Sequence, residues 1–182
     1  MEKKQKRTIL KVITLGHPTL RKVAKEVRNP LDPTIKIFAD DLLASMKSFD
    51  GVGIAAPQVD RSIRMLIVAS TPTPFYPKAP KMKPLVMINP SMLAHSGKMV
   101  KGWEGCGSLM GVRARISRYT AIDVEFTNLK GEIQRMHLKN FVARVFQHEL
   151  DHLNGIMFID HVGIGDLVAS EWLSSTLKKK GK

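Results

Sequence analysis

The stretch Gln147-His148-Glu149-Leu150-Asp151-His152 sets two imidazoles four residues apart within a run whose pattern predicts a helix. That run extends from Asn140 to Asn154 and is closed by Gly155 just past its C-cap. Residues four apart share a helical face at about 6 Å, so both rings can reach one tetrahedral metal. Glu149 lies between them, placed to act as a base toward water at that metal. Phe141 and Val145 continue the stripe of His148 and His152, so the histidine pair points the way buried residues point.

Two histidines do not close a metal site, and the third ligand sets the class. A His ten residues after the first would make a metzincin; Gly155 fits that pattern, but the position itself is Phe158. A Glu from a following helix would make a gluzincin, for which Glu171 is available. The other candidate is Cys106, the single cysteine of the chain. A thiolate is a strong ligand, and a divalent metal would deprotonate it at neutral pH. Gly105-Cys106-Gly107-Ser108 carries too little side chain to build a core around a thiol, and predicts a loop that allows close approach to its backbone.

Outward from this segment, the apolar positions Ile35, Ala39, Leu42, Met46 and Phe49 mark one face of a helix from Asp32-Pro33 to Asp50. Asp32 is its expected N-cap, and Gly51 and Gly53 end it. Residues 8–15 predict a short extended segment turned by Gly16-His17-Pro18, and Ile63–Ala69 and Leu85–Ile88 predict buried strands. Between those strands, residues 71–84 hold five prolines and predict an ordered surface loop. Ala121–Phe126 and Glu132–Leu138 predict a hairpin, and Asp166–Lys180 an amphipathic C-terminal helix. The expected fold is α+β: one compact domain over residues 1–182, with short antiparallel strands around a central metal-binding helix, flanked by an N-terminal and a C-terminal helix.

A chain of 182 residues with 43% hydrophobic and 25% charged residues has ordinary globular composition. No apolar run is long enough to span a membrane, and a lone cysteine excludes an intrachain disulfide, which favours a reducing, cytoplasmic compartment. The net charge of +13 sits at the ends. Residues 1–28 hold nine Lys/Arg against two Glu, and Lys178-Lys179-Lys180-Gly181-Lys182 adds four more. A basic arm (residues 1–7) and tail (residues 178–182) serve solubility, or a weak, sequence-independent contact with ribosomal RNA.

Three segments in order, Gly51-Val52-Gly53-Ile54-Ala55-Ala56-Pro57-Gln58, Glu104-Gly105-Cys106-Gly107-Ser108 and Gln147–His152, resemble the three motifs of peptide deformylases. Gly16, Pro18, Leu20 and Arg21 also fit the opening of that family. The resemblance implies removal of the formyl group from N-formyl-methionyl nascent peptides. It implies Cys106, His148 and His152 as ligands of one divalent metal, with Fe2+ as the working ion and Zn2+, Ni2+ or Co2+ as alternatives. It also implies Glu149 as acid and base, with Gln58 and the Gly107 N–H as donors to the formyl oxygen. Gly51 and Gly53 would let an extended peptide pass close to the backbone. Val52, Phe141 and Val145 would form the methionine pocket, with Arg113 near the peptide backbone. A setting where translation starts with formyl-methionine follows, a bacterial cytoplasm before an organelle, since the basic arm is a weak targeting segment.

Two positions depart from the family pattern. Gly107 stands where Leu is usual, keeping the N–H but removing an apolar wall, and Met110 stands where Pro is common. The expected consequence is slower turnover or altered side-chain preference rather than loss of the reaction. Two other readings carry distinct predictions. A gluzincin peptidase would lose its metal on Glu171→Ala and keep it on Cys106→Ala. A catalytically degenerate homologue would bind peptide or ribosome through its basic ends and release no formate.

Overall fold

The computed structural model describes residues 7–73 and 75–180, and of residues 178–180 the backbone only. Most of the basic arm and tail therefore lies outside the described residues. In chain order the elements are α1 (Pro33–Ser48), β1 (Gly53–Ala55), β2 (Met65–Ser70), β3 (Met82–His95), β4 (Met99–Cys106), β5 (Leu109–Tyr119), β6 (Ala121–Thr127), β7 (Ile133–Lys139), α2 (Asn140–Leu153), β8 (Val168–Ala169) and α3 (Ser170–Lys180). Short 3-10 turns at Pro18–Arg21, Ala56–Val59, Phe158–His161 and Ile164–Asp166 join them.

Met65-Leu66-Ile67-Val68-Ala69 is apolar at every position because both faces of β2 are covered. Met65, Ile67 and Ala69 meet Phe38, Ala39, Leu42 and Met46 of α1, while Leu66 and Val68 meet Val142, Ala143, Val145 and Phe146 of α2. Alternation of side chains along a strand sends successive residues to opposite helices. β2 sits in a five-stranded sheet of order β1-β2-β3-β6-β7, and β4, β5 and β8 form a second sheet; every pairing in both is antiparallel. α2 packs on β1 and β2 of the first sheet and on β5 of the second, which places His148 and His152 between the two.

Asp32 caps α1 as expected, its carboxylate accepting from the Thr34 N–H at 2.8 Å. The helix ends one residue short of Phe49, however. Phe49 is 38% exposed and directs no side chain into the α1 core, because the chain leaves the helical path there and passes through Asp50 at φ +54°. The hairpin β4–β5 went unassigned by pattern. β4 is exposed over its first three residues, and in β5 a short alternation, with Ala114, Ile116 and Arg118 buried between exposed Arg115 and Ser117, is masked by three arginines, one of them on the buried face. Consequently Cys106 ends a strand at a hairpin tip instead of lying in a free loop. α3 begins at Ser170 and not near Asp166, since Val168 and Ala169 are taken up in pairing with β5.

Candidate active site

Cys106 reaches the histidine pair from the tip of the β4–β5 hairpin. Its Sγ lies 3.2 Å from His152 Nε2, and the ligand atoms of Cys106, His148 and His152 all fall within 4.8 Å of one another. Burial opposes ionisation of the thiol, but the His152 charge and hydrogen bonding by both imidazoles outweigh it and hold the thiol well below its ordinary value. The Ser108 N–H and Gln58 Nε2 also donate to this sulfur, at 3.4 and 3.3 Å. A soft sulfur and two imidazoles converging in this way suit a divalent transition metal.

One ring is held by a neighbour, while Nδ1 of the other, His152, is buried without a hydrogen-bond partner. His148 Nδ1 is 2.9 Å from Glu104 Oε2, leaving Nε2 for the cluster. Glu104 is itself fixed by the Arg118 guanidinium, through Nε and Nη2 at 3.0 Å each, and by Arg144 Nη1 at 2.8 Å. Although burial alone would raise its carboxyl, hydrogen bonds from His148 and Arg118 and their charges keep it far below the usual carboxylate range. Arg118 continues to Asp151 at 2.6 Å, and Asp151 to His161 at 2.7 Å. α2 is thus tied to the second sheet by a chain of charge-assisted bonds.

Glu149 is 4% exposed, and its Oε2 has no protein partner. Burial pushes its carboxyl up to about 7, against the pull of the two imidazoles. Gly53 permits this placement: a Cβ there would stand 2.3 Å from Glu149 Oε1. Gln58 is oriented by its own turn, with the Ala55 N–H donating to Oε1 at 2.8 Å, so that its amide NH2 faces Cys106. The N-terminal segment secures both loops. Ile13 N–H donates to the Gln58 carbonyl and Leu15 N–H to the Ser108 carbonyl, each at 2.8 Å.

A cleft of about 920 Å³ opens over this cluster. It is lined by Gly51, Val52, Gly53, Gln58, Cys106, Gly107, Arg113, Phe141, Val145, His148 and Glu149, which are the expected site residues apart from His152, buried behind Cys106. Glu171 is not in the metal-competent group found among the described residues. Thr71, Pro72, Thr73, Phe75 and Tyr76 of the proline-rich loop border the cleft: Phe75 lies under the Arg113 guanidinium at 3.7 Å, and Tyr76 donates to the Trp103 carbonyl at 2.7 Å.

The family model described as "Polypeptide deformylase" matches residues 9–165. The chain belongs to the peptide deformylase family. Peptide deformylase 2 of Nostoc sp. is 52% identical to this deformylase over 154 residues, covering 85% of this chain and 86% of the relative. Peptide deformylase 2 of Shewanella oneidensis is 44% identical over 151 residues, covering 83% of each. A Met-Ala-Ser-bound class I type b peptide deformylase from Acinetobacter baumannii superposes with a TM-score of 0.84 at 41% identity, covering 86% of this chain and 100% of its own. The peptide deformylase of Thermotoga maritima gives a TM-score of 0.77 at 34% identity, covering 86% and 99%.

Sequence alone does not point to several residues of this cleft. Glu104 lies inside the second motif, but its pairing with His148 depends on the fold. Arg144 stands one helical turn before His148, where a cation on a buried stripe is the available signal. The proline-rich loop around Phe75-Tyr76-Pro77 leaves two readings open in sequence, cleft border or surface decoration, and Phe75 and Tyr76 lie at the cleft.

Proposed function

We propose that this enzyme removes the formyl group from N-formyl-methionyl nascent peptides, with Cys106, His148 and His152 holding one divalent metal, Fe2+ in its working form. The observation that carries the reading is convergence: a thiolate-prone cysteine, two imidazoles, one of them oriented by Glu104, and an unpartnered buried carboxylate meet at a cleft of about 920 Å³. Bound there, the metal would act as a Lewis acid and lower the pKa of water at the site. Glu149 takes the proton from the water attacking the formyl carbon, then delivers it to the leaving amine, giving formate and a free N-terminus. Its buried, proton-affine carboxyl suits both halves of that transfer. The Gln58 amide and the Gly107 N–H donate to the oxygen as it gains charge, without the desolvation cost of a buried cation.

Val52, Phe141 and Val145 form the apolar end of the cleft and take the methionine side chain. Gly51 and Gly53 line the cleft with backbone, the space of their missing side chains being taken by the Phe49 ring and the Glu149 carboxylate and not by peptide, and Arg113, held on Phe75, faces the continuation of the substrate. No helix among the described residues is long and apolar enough to cross a membrane, and the relatives named are bacterial; we place the enzyme in a bacterial cytoplasm. The basic ends add weak, salt-sensitive contact with the ribosome. The deciding assay is formate release from formyl-Met-Ala-Ser by protein prepared anaerobically with Fe2+. Activity in the parent, a metal-bound but inactive Glu149→Ala, and a metal-depleted Cys106→Ala are expected. A fully loaded parent that releases no formate would overturn the reading.

A further inference from the structure

Phe49 leaves the end of α1 and lays its ring between two glycines of the cleft. A Cβ on Gly51 would meet Phe49 Cε2 at 2.4 Å, so position 51 accepts no side chain while the ring is there. Across the ring lies Gly107. A Cβ at that position would stand 3.6 Å from Phe49 Cε2 and Cζ, ordinary contact, with Val12 Cγ1 next at 3.8 Å. The backbone of Gly107 is not in the left-handed region, so conformation does not require glycine there. A methyl there has room beside the ring and Val12, and a longer side chain would share the cleft with the ring. Phe49, Val12 and Gly107 all line the cleft, and at 38% exposure the ring is a wall and not core.

We propose that Phe49 is a specificity-determining residue of this deformylase, its ring being the surface on which the substrate side chain following methionine packs, in the room Gly107 leaves open. The inference rests on the deformylase reading. An exposed aromatic ring rewards a bulky apolar neighbour with buried area and gives little to a small one. The same ring lies between the turn that carries Gly51 and the β4–β5 hairpin tip that carries Gly107, so both ends of the contact belong to the cleft.

The test compares parent, Phe49→Ala, Gly107→Leu and the double variant, each loaded with Fe2+, on formyl-Met-Leu-Ser and formyl-Met-Ala-Ser, alongside melting temperatures. Phe49→Ala is expected to lower kcat/KM for the Leu peptide about tenfold, chiefly through KM, and to change the Ala peptide far less. Gly107→Leu alone is expected to lower both activity and melting temperature, because Leu and the ring compete for one space. In the double variant the Leu side chain replaces the ring, restoring preference for the Leu peptide and part of the lost stability. An active parent whose peptide preference Phe49→Ala leaves unmoved overturns the proposal alone, and purely additive effects in the double variant do the same. A loaded parent without formate release overturns the deformylase reading and this proposal with it.

Discussion

Glu104 is 5% exposed and accepts hydrogen bonds from Arg118 and Arg144 while also contacting His148 Nδ1. Its charge is affordable only because two guanidiniums surround it. Glu104→Gln keeps the volume and removes the charge, leaving Arg144 with backbone carbonyls alone and Arg118 with Asp151 alone. We expect a loss of about 3–5 kcal/mol in stability, measured by denaturant unfolding. With His148 less firmly oriented, metal affinity should also fall by about 10–100-fold, read by competition with a chelator. Retention of full metal affinity would show that Glu104 serves the fold and not the ring.

The two faces of β2 separate stability from chemistry. Ile67 is fully buried and points to α1, away from α2 and the metal-competent group. Ile67→Ala should therefore cost about 2–5 kcal/mol of stability while the folded fraction keeps its kcat/KM for formyl-Met-Ala-Ser. A specific activity that falls in step with stability would show that α1 packing is transmitted to the cleft. The N-terminal segment works in the opposite sense: it adds little core, but its Ile13 and Leu15 N–H groups fasten the loops of Gln58 and Ser108. Site geometry here depends on a segment that carries no site side chain other than the cleft-lining Val12 and Thr14.

Across the whole molecule, Arg21 and Asp160 join the first 3-10 turn to the turn after α2, a link spanning 139 residues. Burial disfavours the Asp160 carboxylate, but the Arg21 guanidinium and the Met157 N–H (2.7 Å) together outweigh it and hold its carboxyl below the ordinary value. A carboxyl lowered in the folded state contributes stability that is present above its unfolded pKa and lost as pH falls through its folded one. Asp160→Asn should therefore lower stability at roughly pH 6, and the difference should close toward roughly pH 2. Both partners are substantially exposed, so the effect should stay below about 1 kcal/mol and shrink in high salt. A difference that persists unchanged at low pH would assign the loss to packing and not to charge.

The helix of His148 and His152, the α1 face and the β6–β7 hairpin were legible in the sequence because periodicity and caps are local properties, set within a few turns of chain. The three motifs were legible for a related reason: glycines, a cysteine, a glutamate and two histidines in fixed order are a local pattern, and the family to which they point is the one the chain belongs to. The β4–β5 hairpin was not legible, since β4 is half exposed without alternation and the arginines of β5, one of them buried, hide its short alternating run. Nor were the roles of Glu104, Arg144, Tyr76 and Phe75, each of which meets its partner across a long stretch of chain. Phe49 shows the division at a single residue. Its spacing from Met46 put it on the helix face, yet the end of α1 and the empty place beside Gly107 turned it to the cleft. Local pattern determined which residues could act; long-range contacts decided where they stand, because only the packed chain brings a strand tip, a helix and a loop to one point.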